Sequence, residues 1–383
     1  MSRIIRNFFR SLRKFRTQYT PLISVSVSES ALKKNYAAFC SAYPSVQCAP
    51  VLKSNAYGHG LVEVARVCDN LGAPFFVVDS YVEALMIRNE NIHTPILIIG
   101  YTLPENIRLS RLNNVAFTIG NIPDLEKLAH TGGRALTVHL KIDTGMHRQG
   151  ILPDEVPRAL EILHSSPTLH LMGIGTHMAD ADGSGVTALA QINGWNSIVE
   201  QVRTVFPDIR YIHCAATEGT KFSENIHSNV VRLGMGLYGC TRTSGVAVTP
   251  ALEMKSIVTS VRTVKMGESI GYNYTYTAPR DMRVATVPVG YAEGVDRRLS
   301  NNGALTMYGV ACPIVGRVSM NITSLDVTDC GRPVEIGDEV IVISKDPDAV
   351  NSCESMARIC GTIAYEILVH IPVTLRRTVV ERP

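Results

Sequence analysis

Over the first two thirds of the chain, short apolar runs alternate with longer stretches whose apolar residues recur at helical spacing. Ile23 to Val27 predicts a strand, and Ser28 to Ser30 offers hydroxyls to cap the helix that follows. Eight further strands are expected at Val51 to Lys53, Phe75 to Val78, Ile96 to Ile99, Val115 to Thr118, Leu136 to Ile142, Leu171 to Gly175, Ile212 to Ala215 and Val230 to Leu233. Between them, Leu61 to Cys68, Tyr81 to Asn89, Ile122 to His130, Val156 to Leu163 and Thr187 to Val205 suit covering helices. Strands apolar on both faces require a parallel sheet under helices. Eight such units predict an α/β fold with an eight-stranded TIM-type (β/α)8 barrel, the alternative being an open doubly wound sheet.

From about Ser244 the texture changes. Val258 to Val264, Val284 to Val289, Pro313 to Val318, Ile322 to Val327 and Val340 to Ile343 read as strands, with a turn at Gly337 and Asp338 and one short helix at Ser352 to Ile359. The expected organisation is a basic extension over 1–19 and a first strand within 20–28 that is surplus to the barrel and free to pair elsewhere. The barrel then spans 29–243, and a mainly β domain spans 244–383.

At 383 residues and 45% hydrophobic composition the chain can bury a large core, which excludes a disordered adaptor. A formal charge of +3 argues against broad nucleic-acid binding. Positive charge is concentrated only in Arg3, Arg6, Arg10, Arg13, Lys14 and Arg16, interleaved with Ile4, Phe8, Leu12 and Phe15. That arm could touch a membrane or partner, but no apolar stretch reaches the roughly 18 residues of a membrane span and no signal-peptide core follows. A cytoplasmic location is expected. The nine cysteines are scattered without a paired ligand spacing, so reduced thiols and no metal site are anticipated.

Barrels carry reactive groups at the carboxyl ends of their strands. Polar clusters fall there: Lys53 with Asn55 and Tyr57; Lys141, Asp143 and Arg148; His177; His213 and Thr217; Arg232 with Tyr238. A lysine leaving an apolar strand is partly desolvated, which favours the neutral amine and condensation with an aldehyde; a snorkelling surface lysine fits the local pattern equally well.

The segment Val51-Leu52-Lys53-Ser54-Asn55-Ala56-Tyr57-Gly58-His59-Gly60 resembles the cofactor-lysine signature of the alanine racemases, with Ser54 a minor departure. The resemblance continues through Lys141 to Met146, Arg148, Thr176-His177, Val231 to Gly234, Tyr238-Gly239, Ser269 to Thr277, Pro288 to Gly294 and Pro313 to Met320, in family order. It implies a fold-type III enzyme: a homodimer of barrel-plus-β subunits holding pyridoxal 5'-phosphate (PLP) and racemising a small amino acid. The first strand would join the second domain, and Tyr272 and Met320 of one subunit would meet the pocket of the other. Lys53 would bind the cofactor as an aldimine, with Tyr57 helping to hold it. Thr217, Tyr291 and amides near Gly234 would meet its phosphate, Arg232 its pyridine side and His177 its ring, while Arg148 would support the phenolate and substrate.

The same resemblance implies two bases, Lys53 acting on the D enantiomer and Tyr272 on the L enantiomer. It also implies a role in supplying D-alanine for bacterial peptidoglycan. Arginine beside the pyridine nitrogen, with its own pKa above about 12, would discourage protonation there and so limit transamination. Departures bear on substrate breadth. Asn321 follows Met320 where aspartate is usual, and Ala216-Thr217 replaces asparagine and serine; both also resemble broad-specificity racemases. Val373 is read at a place where a phosphate-binding tyrosine is expected, although Tyr365-Glu366 fits the family, and Lys141 is a candidate for carbamylation. The competing readings are a broad-specificity racemase acting also on serine or basic amino acids, a barrel-type PLP-dependent decarboxylase, and a cofactor-binding scaffold without catalysis.

Overall fold

The computed structural model describes residues 20–181, 185–241 and 245–381; the basic arm lies outside them. The barrel is built from β2 (Gln47–Pro50), β3 (Phe76–Val78), β4 (Ile96–Ile98), β5 (Val115–Ile119), β6 (Leu136–Lys141), β7 (Leu169–Gly175), β8 (Tyr211–Ala216) and β9 (Val230–Leu233). All neighbours run parallel, in the order β2-β9-β8-β7-β6-β5-β4-β3. A parallel bridge between Val51 and Val77 brings the two ends of that order together.

Helices Leu61–Cys68, Tyr81–Asn89, Ile122–His130, Val156–Ser165 and Val186–Val205 cover the outside. Their starts are written locally. Ser80 and Glu83 form a reciprocal capping box, and the Asn121 side chain accepts from the Asp124 N–H. Ser28 caps the first helix, Glu29–Ala42, in the same way.

The strand β1 (Ser24–Ser28) lies outside the barrel. It pairs antiparallel with β10 (Leu252–Ile257) and parallel with β19 (Arg377–Val380), within a six-stranded sheet that also holds β15 (Ala304–Met307), β16 (Val310–Pro313) and β18 (Glu339–Ile343). A second sheet joins β11 (Ser260–Val264), β14 (Met282–Val287) and β17 (Thr323–Asp326). A small hairpin, β12 (Ser269–Ile270) and β13 (Tyr276–Thr277), stands on its own apolar cluster of Val264, Ile270, Ala278, Met282, Val284 and Val315.

Two expected strands are displaced. The Val51 to Lys53 run is replaced by β2, because the ladder to β9 ends at Pro50 and the chain then turns sharply. Pro313 to Val318 is replaced by β16, since Gly316 takes φ +79 and bends the chain out of line.

Candidate active site

At the carboxyl ends of the barrel strands, Lys53, Tyr57, Lys141, Arg148, His177, Thr217, Arg232 and Gly234 line one cavity of about 470 Å³. Lys53 opens an unusual turn: Ser54, Asn55, Ala56 and Tyr57 all have φ between +49 and +56. Four successive left-handed residues without glycine are strained by roughly 1–2 kcal/mol each. The turn is over-determined by its surroundings. Glu83 accepts from the Ser54 N–H at 2.7 Å, Asn55 Oδ1 accepts from the Leu61 N–H at 2.9 Å, and Arg377 Nε donates to the Gly58 carbonyl at 2.8 Å. Strain retained in this way fixes the lysine's point of departure.

Arg232 is buried at the centre of the barrel. Its Nη1 donates to His213 Nδ1 at 2.6 Å and to the His213 carbonyl at 3.0 Å. Its Nη2 donates to His177 Nδ1 at 2.9 Å and to the Thr176 and Cys214 carbonyls, each at 2.8 Å. Burial lowers the Arg232 pKa to about 10. Burial, then the Arg232 charge, pushes His177 down to about 3 and His213 well below its ordinary value, so both rings are neutral near pH 7. Room for the second ring comes from Gly175, where a Cβ would stand 2.1 Å from His213 Cε1.

Lys141 emerges from β6 into the same space. Burial, then Arg232 and Arg148, lowers its pKa to about 7, so a substantial share of the amine is neutral near pH 7. The Thr217 hydroxyl accepts from the Gly236 N–H at 3.1 Å, ordering the Gly234 loop. A Cβ on Gly234 would come 3.4 Å from the Tyr57 hydroxyl. Burial raises the Tyr57 pKa, keeping the phenol protonated as a donor.

Among the described residues, the basic side chains of Lys53, Lys141, Arg148 and Arg232 line the cavity and no carboxylate does. Unbalanced positive charge in a recess calls for an anionic ligand, and hydroxyls of Tyr57 and Thr217 beside a glycine loop suit a phosphate.

The remaining predicted residues lie elsewhere in the single chain. Tyr272 is 67% exposed at the tip of the β12–β13 hairpin, bordering an open concavity with Tyr274 and Ser319; Met320 is 57% exposed. Asn321 Nδ2 donates to Glu293 Oε1 at 2.6 Å. Tyr291 does not line the cavity of its own chain: its N–H donates to the Ser319 carbonyl, and it belongs to the β domain with Met320. Val373 is exposed and away from the cavity, whereas Tyr365 lines it, with its ring centroid 5.5 Å from that of Tyr57. A phenol therefore does face this site, from position 365. In the sequence Tyr365 stands within a family-like pair but has no place in the site, and His139 belongs to no motif, its one local signal being a histidine in mid-strand between the apolar Val138 and Leu140.

The model of the alanine racemase N-terminal domain matches residues 27–242, and that of the C-terminal domain matches residues 251–379. An alanine racemase of Sorangium cellulosum is 36% identical over 336 residues, covering 84% of this chain and 88% of its own. One of Symbiobacterium thermophilum is 36% identical over 329 residues, covering 83% and 86%. Among solved structures, the Bacillus anthracis alanine racemase with bound L-Ala-P superposes with a TM-score of 0.86 at 29% identity, covering 95% of this chain and 96% of that one.

Proposed function

Because this chain belongs to the alanine racemase family, we propose that it interconverts L-alanine and D-alanine with PLP held at Lys53. The observation that carries this reading is the cavity itself. Among the described residues it is lined by the basic groups of Lys53, Lys141, Arg148 and Arg232 and by no carboxylate, and one of them is a lysine fixed by a strained turn.

The residues fit the cofactor. Tyr57, Tyr365, Thr217 and the amides around Gly234 would hold the phosphate. The Nη atoms of Arg232 are spent on the barrel, which leaves Nε for the pyridine nitrogen. When bound, PLP supplies the electron sink that acidifies the substrate's Cα–H. The chain's own task is to carry protons to and from both faces of that carbon. The Lys53 amine, released when the substrate amine replaces it on the cofactor, would take the proton from the D enantiomer or return it. Tyr272 Oη does the same for the L enantiomer, with cationic Arg148 orienting the substrate carboxylate. The neutral His177 and the cationic Arg232 hold this arrangement without themselves exchanging protons near pH 7.

Tyr272 lies outside the cavity of its own chain, exposed beside Tyr274 and Ser319. The reading therefore requires a homodimer, in which the partner's Tyr272 and Met320 complete the site. Lys141 is set to react with carbon dioxide, because its amine is substantially neutral near pH 7; the carbamate would place a negative group in the cavity with Arg148. Among the described residues no helix is long and apolar enough to cross a membrane, and all nine cysteines are free thiols, which supports a cytoplasmic enzyme.

Incubation with separate enantiomers of alanine, serine, lysine and arginine, followed by chiral product analysis, tests the assignment. Alanine is expected to racemise fastest. Negligible alanine turnover beside rapid turnover of a basic amino acid would reject it in favour of the broad-specificity reading, to which Asn321 and Ala216 lend support. Loss of the carboxylate would indicate a decarboxylase. Borohydride treatment should leave the pyridoxyl mass on the Lys53 peptide, and Lys53→Ala should abolish that label and lower kcat by at least about 10³-fold.

A further inference from the structure

We propose that His139 is a positioning residue for this reaction, fixing through His213 the hydrogen-bond direction that holds Arg232 in the cavity. The inference rests on the proposed function for its catalytic consequence, but not for its structural content.

A guanidinium can only donate, so His213 Nδ1 at 2.6 Å and His177 Nδ1 at 2.9 Å must both accept from Arg232. A neutral imidazole has one N–H, and in both rings it is therefore on Nε2. His213 Nε2 lies 3.0 Å from His139 Nδ1 and must donate to it. Burial, then the Arg232 charge, lowers the His139 pKa to about 3, so this ring is neutral as well and free to accept. The bonds run in one direction, from Arg232 to His213 to His139, and His139 supplies the acceptor at their end.

The sequence makes space for this array. A Cβ on Gly173 would meet the His139 ring at 2.7 Å, just as one on Gly175 would meet His213. The His139 side chain projects from mid-strand, where it borders both the upper cavity and a second cavity of about 600 Å³ among the amino-terminal ends of the strands. Gln47, Thr137 and Tyr211 border that second cavity.

A purely structural role makes a different prediction. His139 also packs against Phe75 and Tyr211, with ring centroids 5.7 and 5.9 Å away. If that packing were its whole contribution, phenylalanine would replace it well. If the acceptor matters, phenylalanine would leave the buried His213 Nε2–H unpaired, a defect relieved by a tautomer change that turns a second donor toward Arg232. His139→Asn places an amide oxygen near the position of Nδ1 and should restore the bond.

The test combines ¹⁵N NMR of imidazole tautomers with racemisation kinetics on the holoenzyme. Wild-type protein should show His213 protonated at Nε2 only. His139→Phe should lose that signature and lower kcat about tenfold, with KM for alanine changed much less, as expected for misplacement rather than lost binding. His139→Asn should recover both. His139→Gln, whose acceptor sits one atom too far out, should fail like phenylalanine, and it replaces the phenylalanine variant if that one does not fold. A His139→Phe or His139→Gln enzyme with the wild-type tautomer and kcat overturns the proposal, as does an asparagine variant no better than phenylalanine. A wild-type enzyme that shows the predicted tautomer but does not racemise alanine overturns the proposed function and leaves the hydrogen-bond direction standing.

Discussion

Lys141 and Tyr272 show how differently single residues acquire chemistry here. The Lys141 pKa is about 7 in the folded chain against an ordinary 10.5, so between these values the unfolded chain binds more protons. Stability contributed at this position accordingly rises with pH across that window, and the full penalty is present below about pH 7. In the cofactor-free protein, Lys141→Met should raise the melting temperature most below about pH 7, and the gain should vanish above about pH 10.5. A gain independent of pH would place its origin in packing. For Tyr272 the expected outcome is chemical. In deuterium oxide, Tyr272→Phe should keep Cα exchange from D-alanine while losing about 10²- to 10⁴-fold from L-alanine; equal exchange from both enantiomers would remove Tyr272 from its role. That Lys53, Arg232 and Thr217 gather at one cavity was legible in the sequence because each stands in a local motif at the end of a barrel strand. Tyr365 was harder to place, because its approach to Tyr57 depends on how a late helix, Ala364–Val369, docks across more than three hundred residues of chain.

At the scale of elements, the barrel helices were legible to within a few residues because caps and apolar periodicity coincide, as at Ser80 and Asn121. The alternating strand β10 was missed although its burial alternates along Leu252–Ile257, since Glu253 and Lys255 dilute the apolar signal. The short β19 was missed because its first residue is a buried arginine. What no local pattern could show is the left-handed run after Lys53, whose conformation is imposed by Glu83 and Arg377 from distant elements. Gly58 closes that run at φ +82, and a Cβ there would lie 2.0 Å from the Leu368 carbonyl oxygen. Gly58→Ala should therefore cost about 3 kcal/mol or more in denaturant unfolding. An unchanged midpoint would mean that the helix bearing Tyr365 is free to retreat.

For the whole molecule, four buried histidines that are neutral near pH 7 set a common acid limit among the described residues. Burial lowers His139 and His177 to about 3 and His59 to about 4, and His213 is likewise lowered, against about 6.5 for each in the unfolded chain. Unfolding thus takes up protons as pH falls, and the folded state should lose stability progressively from about pH 6.5 toward 3. Melting temperatures across that range, compared with those of His139→Asn, should show a shallower acid slope in the variant; parallel slopes would assign the acid limit to carboxylates. The other whole-molecule property follows from where Arg377 sits. It lies on the last strand, clasps the carbonyl of Gly58 and brings β19 alongside β1. The bend carrying the reactive amine is thus secured by a residue more than three hundred positions further along the chain. A polypeptide cut short before Arg377 would still contain Lys53 but lack the clasp that shapes its surroundings. Competence for chemistry is in this way made to wait on the second domain.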